Sequence, residues 1–100
     1  MSQYDTHALH DFLFHTPESG LRKMLVDRNK MTDVHANLLF KIVKSCTPDQ
    51  FGEHFSAMTY PKIRMSPNEE KLKEKFWGDV VAVLLERGLL QPAVAAKQAA

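Results

Sequence analysis

Residues 66–88 read SPNEEKLKEKFWGDVVAVLLERG, the longest regular helical pattern in the chain. Ser66 stands directly before Pro67, and Glu69 follows three residues after the serine. A serine hydroxyl caps free backbone N–H groups, proline is favoured at the first helical position, and the acidic residue completes a capping box. The pattern predicts that the longest helix of the protein covers residues 67–87. Its apolar residues recur at spacings of three and four, at Leu72, Phe76, Val80, Val83 and Leu84.

Two similar helix starts precede this stretch, at Thr16-Pro17-Glu18-Ser19 and Thr47-Pro48-Asp49-Gln50. Three such starts in 100 residues predict an all-α fold, and no segment alternates apolar and polar residues for long, as a half-buried strand does. We predict a compact single-domain bundle of about five helices over residues 1–92. A frayed, Ala-rich tail is expected to follow at residues 93–100.

The connections between the predicted helices follow from proline and glycine. The long helix is expected to end at Gly88, a residue favoured just past a helix end, and Pro92 prevents its continuation. The connection Thr59–Met65 is predicted to be irregular, because Pro61 pushes Tyr60 away from helical angles. The four shorter helices begin, in order, near Asp5, Pro17, Asp33 and Pro48. The fourth is short and carries Phe51, Phe55 and Met58.

The composition excludes several classes of protein. The chain has 100 residues, a formal net charge of +1, one cysteine and 44% hydrophobic residues. It is too short for two ordinary domains, too apolar for a disordered tail and too close to neutral for a free polycation, and it forms no intrachain disulfide. The N-terminus lacks the regions of a signal peptide, and the apolar-rich stretch Val80–Leu90 is shorter than a membrane span. We therefore expect a cytoplasmic protein with no membrane partner.

Three histidines lie in the first predicted helix, at His7, His10 and His15. The spacing of His7 with His10, or with Asp11, places two ligands on one helix face, which is half of a metal site. No pattern such as His-Glu-x-x-His or Cys-x-x-Cys supplies the other half. We expect an exposed polar helix face here and no bound metal.

The remaining candidates for chemistry favour structural roles. Cys46 follows an apolar run and is expected to be a small buried hydrophobe rather than a nucleophile paired with His54. Glu69 and Glu70 are expected on the surface of the long helix, where they favour its dipole and pair with Lys73. The glycines are isolated, so no phosphate-binding loop is predicted. We expect no catalytic residue, no cofactor and no enzyme activity from this chain alone.

The charges are unevenly distributed. Residues 21–45 hold six Lys/Arg and two acids, and residues 61–76 hold five Lys/Arg and three acids. A basic face would meet nucleic acid or an acidic protein, although such residues also occur on ordinary solvated helix exteriors. The basic positions are Arg22, Lys23, Arg28, Lys30, Lys41, Lys44, Lys62, Arg64, Lys71, Lys73 and Lys75. A helix-turn-helix of the second and third helices would expose His35, Asn37, Lys41 and Lys44.

The long helix is apolar on more than one face, since Trp77, Val81 and Leu85 lie away from its main stripe. Such a helix is either central and buried or has a surface for a partner. The Thr59–Met65 connection adds an aromatic, basic cluster unlike a simple helix exterior. We predict partner contacts at Tyr60, Lys62, Arg64, Trp77, Val81 and Leu85.

The leading interpretation is a non-catalytic helical interaction module, such as an adaptor, inhibitor or accessory subunit. Its partner would be another protein or a second copy of the chain as a homodimer. The main alternative is a small nucleic-acid-binding regulator that uses the basic face.

A third interpretation comes from a family resemblance. A short helix, a loop and a capped helix ending in DVVAVLLERG, residues 79–88, resemble the small helical subunit of two-subunit extradiol ring-opening dioxygenases over about half of the chain. The family has Gly-Gly-Asn-x-Tyr after this helix, where this chain has Gly88-Leu89-Leu90-Gln91-Pro92. In that family the small subunit covers the active site, and most catalytic residues belong to the larger partner. The resemblance therefore implies an accessory subunit of a two-subunit enzyme and assigns no site residue to this chain.

Overall fold

The structure, a computed structural model, describes residues 4–92. Within this range the chain forms six helices and no named strand, so the predicted all-α class is confirmed. The predicted tail at residues 93–100 lies outside the described residues. The helices are α1 Thr6–His15, α2 Glu18–Leu25, α3 Asp33–Ser45, α4 Pro48–Ala57, α5 Pro67–Leu72 and α6 Phe76–Glu86.

The helix predicted over residues 67–87 is divided into α5 and α6 by a turn at residues 73–75. In this turn the N–H groups of Lys73 and Lys75 donate to carbonyl oxygens three residues earlier, at 3.3 and 3.0 Å. The carbonyl of Lys73 accepts the hydroxyl of Tyr60 at 2.6 Å. These bonds replace the regular helical ladder, so the helix ends and restarts. The longest helix is instead α3, with 13 residues.

Two of the three predicted helix caps form as expected. The hydroxyls of Thr47 and Ser66 each accept the N–H three residues later, at 3.2 Å. In return, Oε1 of Gln50 accepts the N–H of Thr47 at 3.0 Å, and Oε1 of Glu69 accepts that of Ser66 at 2.8 Å. Thr16 behaves differently, because its hydroxyl donates to the carbonyl of Phe12 at 2.6 Å. Thr16 therefore completes the end of α1 and does not cap α2.

The helices enclose one apolar core. Gly52 of α4 lies close to α1, since a Cβ at this position would stand 2.6 Å from Oγ1 of Thr6. Phe51 and Phe55 of the predicted fourth helix are buried, whereas Met58 ends α4 in a left-handed conformation with φ of 57° and is 58% exposed. The largest fully buried side chains include Leu21, Leu25, Met31, Leu38, Leu39, Ile42, Phe51, Phe76 and Leu84.

His10 is buried, which corrects the exposed polar face predicted for α1. Its Nε2 lies 2.9 Å from the carbonyl oxygen of Val43 and 3.0 Å from that of Cys46. An N–H at Nε2 donates to these carbonyls, which the end of α3 leaves without helical partners. His7 and His15 do occupy exposed positions, so α1 meets α3 through one histidine of the three.

The end of α6 follows the prediction. Gly88 has a φ of +68°, and the N–H of Leu89 donates to the carbonyl of Leu84 at 2.8 Å. A left-handed glycine with this bond ends a helix without steric cost. The chain then returns to the start of α1, where the N–H of Asp5 donates to the carbonyl of Gln91 at 2.8 Å.

Candidate interaction surface

Trp77, one of the predicted partner contacts, lies in the core and is 2% exposed. Its indole N–H donates to the carbonyl of Thr59 at 3.0 Å, and its ring packs against Phe55 with centroids 5.5 Å apart. The chain's own α4 and the connection after it therefore cover this side chain. Trp77 therefore packs beneath the surface residues and is not itself exposed to a partner.

Tyr60 covers Trp77, with ring centroids 6.0 Å apart and an angle of 25° between the planes. Burial raises the pKa of Tyr60 to about 12, and its hydroxyl donates to the carbonyl of Lys73 at 2.6 Å. The ammonium of Lys73 stands over the same ring, 5.6 Å from its centroid. The half-buried ring is thus engaged by its own chain, which ties the Thr59–Met65 connection to the turn before α6.

The predicted contacts Val81 and Leu85 follow Trp77 at four-residue spacing, so they share one side of α6. Leu85 is 51% exposed, and Val81 is half-buried. The space around Gly78 is open, since a Cβ there would meet nothing within 4 Å. We name the set Gly78, Val81, Ala82 and Leu85 the α6 face; it carries no charge.

Asp79 is the acidic residue within residues 78–85, and its carboxylate already binds a side chain of the same protein. Its Oδ2 lies 3.0 Å from Nε2 of His35, which is 2% exposed. The N–H of Thr32 donates to Nδ1 of the same ring at 3.0 Å, so the Nε2 side carries the proton that Asp79 accepts. This bridge joins α3 to α6. It also corrects the exposed position predicted for His35 in a helix-turn-helix.

Most of the predicted basic positions of α2 and α3 are paired within the protein. Arg22 lies 3.2 Å from Asp33, and Lys44 lies 3.0 Å from Glu18. Lys30, just after α2, lies 2.7 Å from Glu86 of α6. These pairs leave less positive charge on that side of the protein than the sequence alone indicates.

A second group of cations has no such partners. In the part of the chain that the structure describes, no ion pair involves the predicted contacts Lys62 and Arg64, nor Lys71 and Lys75, and all four are exposed. We name these four residues the cation cluster. Lys75 directly precedes α6, so one member of the cluster adjoins the start of the α6 face along the chain.

Glu69 departs from the surface position predicted for it. The residue is 2% exposed. Its Oε1 accepts hydrogen bonds from the ammonium of Lys41 at 2.6 Å and from the N–H of Ser66 at 2.8 Å. Burial raises the pKa of Glu69, but these hydrogen bonds and the charge of Lys41 outweigh it and hold the pKa below its usual value. Glu70 does pair with Lys73 on the surface, at 3.4 Å, as predicted.

A groove along α3 was missed by sequence reasoning. It consists of two adjoining clefts of about 360 and 230 Å³, which share Glu18, Phe40 and Lys44 in their linings. Phe14 forms part of one wall and is 49% exposed. The lining comes from α1, α2, α3 and α5 with no common sequence pattern, so only the folded chain brings it together.

Cys46 is buried as predicted, and burial raises the pKa of its thiol. Because less thiolate is present at neutral pH, we expect a thiol reagent to modify the folded protein at least about tenfold more slowly than the urea-unfolded protein. The rate of release of a coloured thiol reagent measures this difference. Equal rates in the two states would show that the thiol is accessible and reactive.

Comparisons with family models, curated proteins and solved structures give no match for this chain. Among residues 4–92, no group of three His, Cys, Asp or Glu side chains is arranged to hold a metal ion. No helix of the same residues is long and apolar enough to cross a membrane. Because no relative indicates a function, the functional proposal rests on the residues of the surface.

Proposed function

We propose that this protein is a non-catalytic helical module that binds another protein through the α6 face. The observation that carries the proposal is the exposure of Leu85 on an uncharged helix side, with Val81 and Ala82 half-buried beside it. In α6 the exposed residues are Gly78, Leu85 and, at its last position, Glu86. Each of the other helices in the described range has an exposed ionisable side chain before its last residue. Binding of a partner that removes this apolar helix side from water lowers the free energy of the system.

The exposed part of Leu85 supplies a share of the binding free energy. Burying a leucine side chain fully contributes about 1.5–3 kcal/mol, Leu85 is 51% exposed, and a dissociation constant of about 1 μM requires about 8 kcal/mol. The partner must therefore also contact residues around the α6 face. The open space over Gly78 lets a partner backbone approach closely. Recognition by a helix with an apolar side is a common binding mode of this type. An accessory subunit of an enzyme would use the same surface, so that interpretation is one form of the proposal.

Nucleic-acid binding has less support. Lys41 and Lys44 of α3 are paired with Glu69 and Glu18, and His35 is buried, so the proposed recognition helix offers few free groups. The ring of Tyr60 is engaged by Trp77 and Lys73 rather than free to stack on a base.

Leu85→Asp is expected to weaken partner binding at least about tenfold, because it removes apolar burial and places a charge in the contact. Phe14→Asp is the matched control, since Phe14 is exposed to a similar extent on α1. The measurement is quantitative recovery of co-purified proteins with the tagged variants, together with the native mass of each variant. Thermal melting verifies that both variants fold.

Retention of the partner by Leu85→Asp would contradict the proposal. Loss of the partner with Phe14→Asp alone would move the contact to the groove along α3. A native mass of two chains that falls to one chain in Leu85→Asp would identify the partner as a second copy.

A further inference from the structure

We infer that the partner of the α6 face is an acidic amphipathic helix of another protein, whose carboxylates meet the cation cluster while its apolar side covers Leu85. The inference rests on the proposed function and names the chemistry of the partner. Its basis is that the four cations of the cluster are exposed and take part in no ion pair among the described residues, whereas Arg22, Lys41 and Lys44 of α2 and α3 are paired.

The charge around the cluster is unbalanced. Glu69 and Glu70 are held by Lys41 and Lys73, which leaves Glu74 as the acid of this segment without an ion pair in the described structure. Residues 62–75 therefore hold four exposed cations outside the ion pairs and one such carboxylate. Surface lysines and arginines attract a complementary charge and increase the rate and selectivity of association.

Contacts of its own segment hold the loop that bears Lys62 against the start of α6, where the ring of Tyr60 lies on Trp77. The hydroxyl of Tyr60 binds the carbonyl of Lys73, and the ammonium of Lys41 reaches the carbonyl of Arg64 at 3.3 Å. Both ends of the loop that bears Lys62 are thus fixed to the body of the protein. Because Tyr60 of this loop lies on Trp77 near the start of α6 and Leu85 lies near its end, a helix along α6 would pass the loop at one end and Leu85 at the other.

A second copy of this chain fits the surface less well. In a two-fold dimer each α6 face meets the other, so each cluster faces either its equivalent or the far end of the partner's α6. That far end carries Glu86 and Arg87, which are already paired with Lys30 and Asp27 at 2.7 and 3.7 Å. Among residues 4–92, this end therefore offers no unpaired carboxylate to the cluster.

The test uses three synthetic helices of about 18 residues as labelled probes. The first has leucine on one side and glutamate on both flanks, the second has lysine in place of glutamate, and the third has serine in place of leucine. Fluorescence anisotropy gives the affinity of the full-length protein for each. We expect the first probe to bind at least about tenfold more tightly than the other two, since it alone supplies both carboxylates and an apolar side.

Charge reversal locates the contact. Lys62→Glu combined with Arg64→Glu should weaken binding of the first probe about fivefold to tenfold, and raising the ionic strength from about 0.01 to 1 M should reduce the remaining charge dependence. The control is Lys23→Glu with Arg28→Glu. Lys23 lies on α2 and Arg28 in the turn after it; both are exposed, and neither takes part in an ion pair among the described residues. This control should leave the affinity unchanged.

Several outcomes would overturn the inference. These are equal binding of the lysine probe, equal effects of the two double reversals, tighter binding of a single-stranded oligonucleotide, or no binding of the first probe. If Leu85→Asp still releases the natural partner while any of these occurs, the proposed function stands and the acidic helix is rejected. If Leu85→Asp releases nothing, the proposed function itself fails.

Discussion

Lys41→Met is expected to lower the free energy of unfolding by about 2–3 kcal/mol, because it leaves the buried carboxylate of Glu69 without its cation. The range lies below that of a fully buried pair, since the side chain of Lys41 is 42% exposed and water compensates in part. Urea denaturation of the variant and the native protein measures the difference. The double variant Lys41→Met with Glu69→Gln should recover most of the loss, because it removes both charges together and keeps a side-chain oxygen that accepts the N–H of Ser66.

The same pair makes stability depend on pH in a defined direction. The pKa of Glu69 is lower in the folded state than in the unfolded chain, so its contribution is present above the unfolded pKa and is lost as pH falls through the folded pKa. In Lys41→Met, burial remains and favours the protonated acid, so the deficit should be largest near pH 7 and shrink toward about pH 4. A deficit that does not change over this interval would show that Glu69 is not the group left uncompensated.

Gly52→Ala should destabilise the fold by about 1–3 kcal/mol, because the new methyl group would stand 2.6 Å from Oγ1 and 3.4 Å from Cβ of Thr6. Helices α1 and α4 must separate, or Thr6 must move within a buried position. Gly78→Ala is the matched control, a glycine in a helix with nothing within 4 Å of the new atom. It should gain about 0.5–1 kcal/mol, since alanine favours a helix over glycine. Thermal and urea unfolding of both variants give these values.

Thr6→Ala supplies an internal check on the cause. Combined with Gly52→Ala, it removes the hydroxyl that makes the 2.6 Å contact and should restore part of the lost stability. If the two substitutions simply add, or if Gly52→Ala is as harmless as Gly78→Ala, then close packing of α1 on α4 does not require the glycine.

Local rules in the sequence account for much of the fold. Thr47 and Ser66 cap their helices as the Ser/Thr-Pro pattern predicts, and Gly88 ends α6 in the left-handed conformation. The same rules fail at Thr16, whose hydroxyl has a competing carbonyl in α1. They also fail at residues 73–75, where the division of the predicted helix coincides with a hydrogen bond from Tyr60, 13 residues away. Tertiary contacts of this kind leave no periodic trace in the sequence.

The candidate surface was partly predictable for a related reason. The four-residue spacing of Trp77, Val81 and Leu85 identifies one helix side, but only the folded chain shows that the aromatic end is covered and the leucine end is exposed. Charge has the same limit, since Lys44 and Lys62 look equivalent in the sequence. Their difference depends on Glu18, which the fold brings to within 3.0 Å of Lys44.

Photocrosslinking from position 85 is the most direct test of partner binding by the α6 face. A benzophenone amino acid replaces Leu85 in one variant and the similarly exposed Phe14 in another, and both are irradiated in extracts of the source cells. We expect a discrete adduct from position 85 that is reduced when excess unlabelled protein is added, and none from position 14. An adduct from position 14 alone, or the same adducts from both positions, would contradict binding through the α6 face.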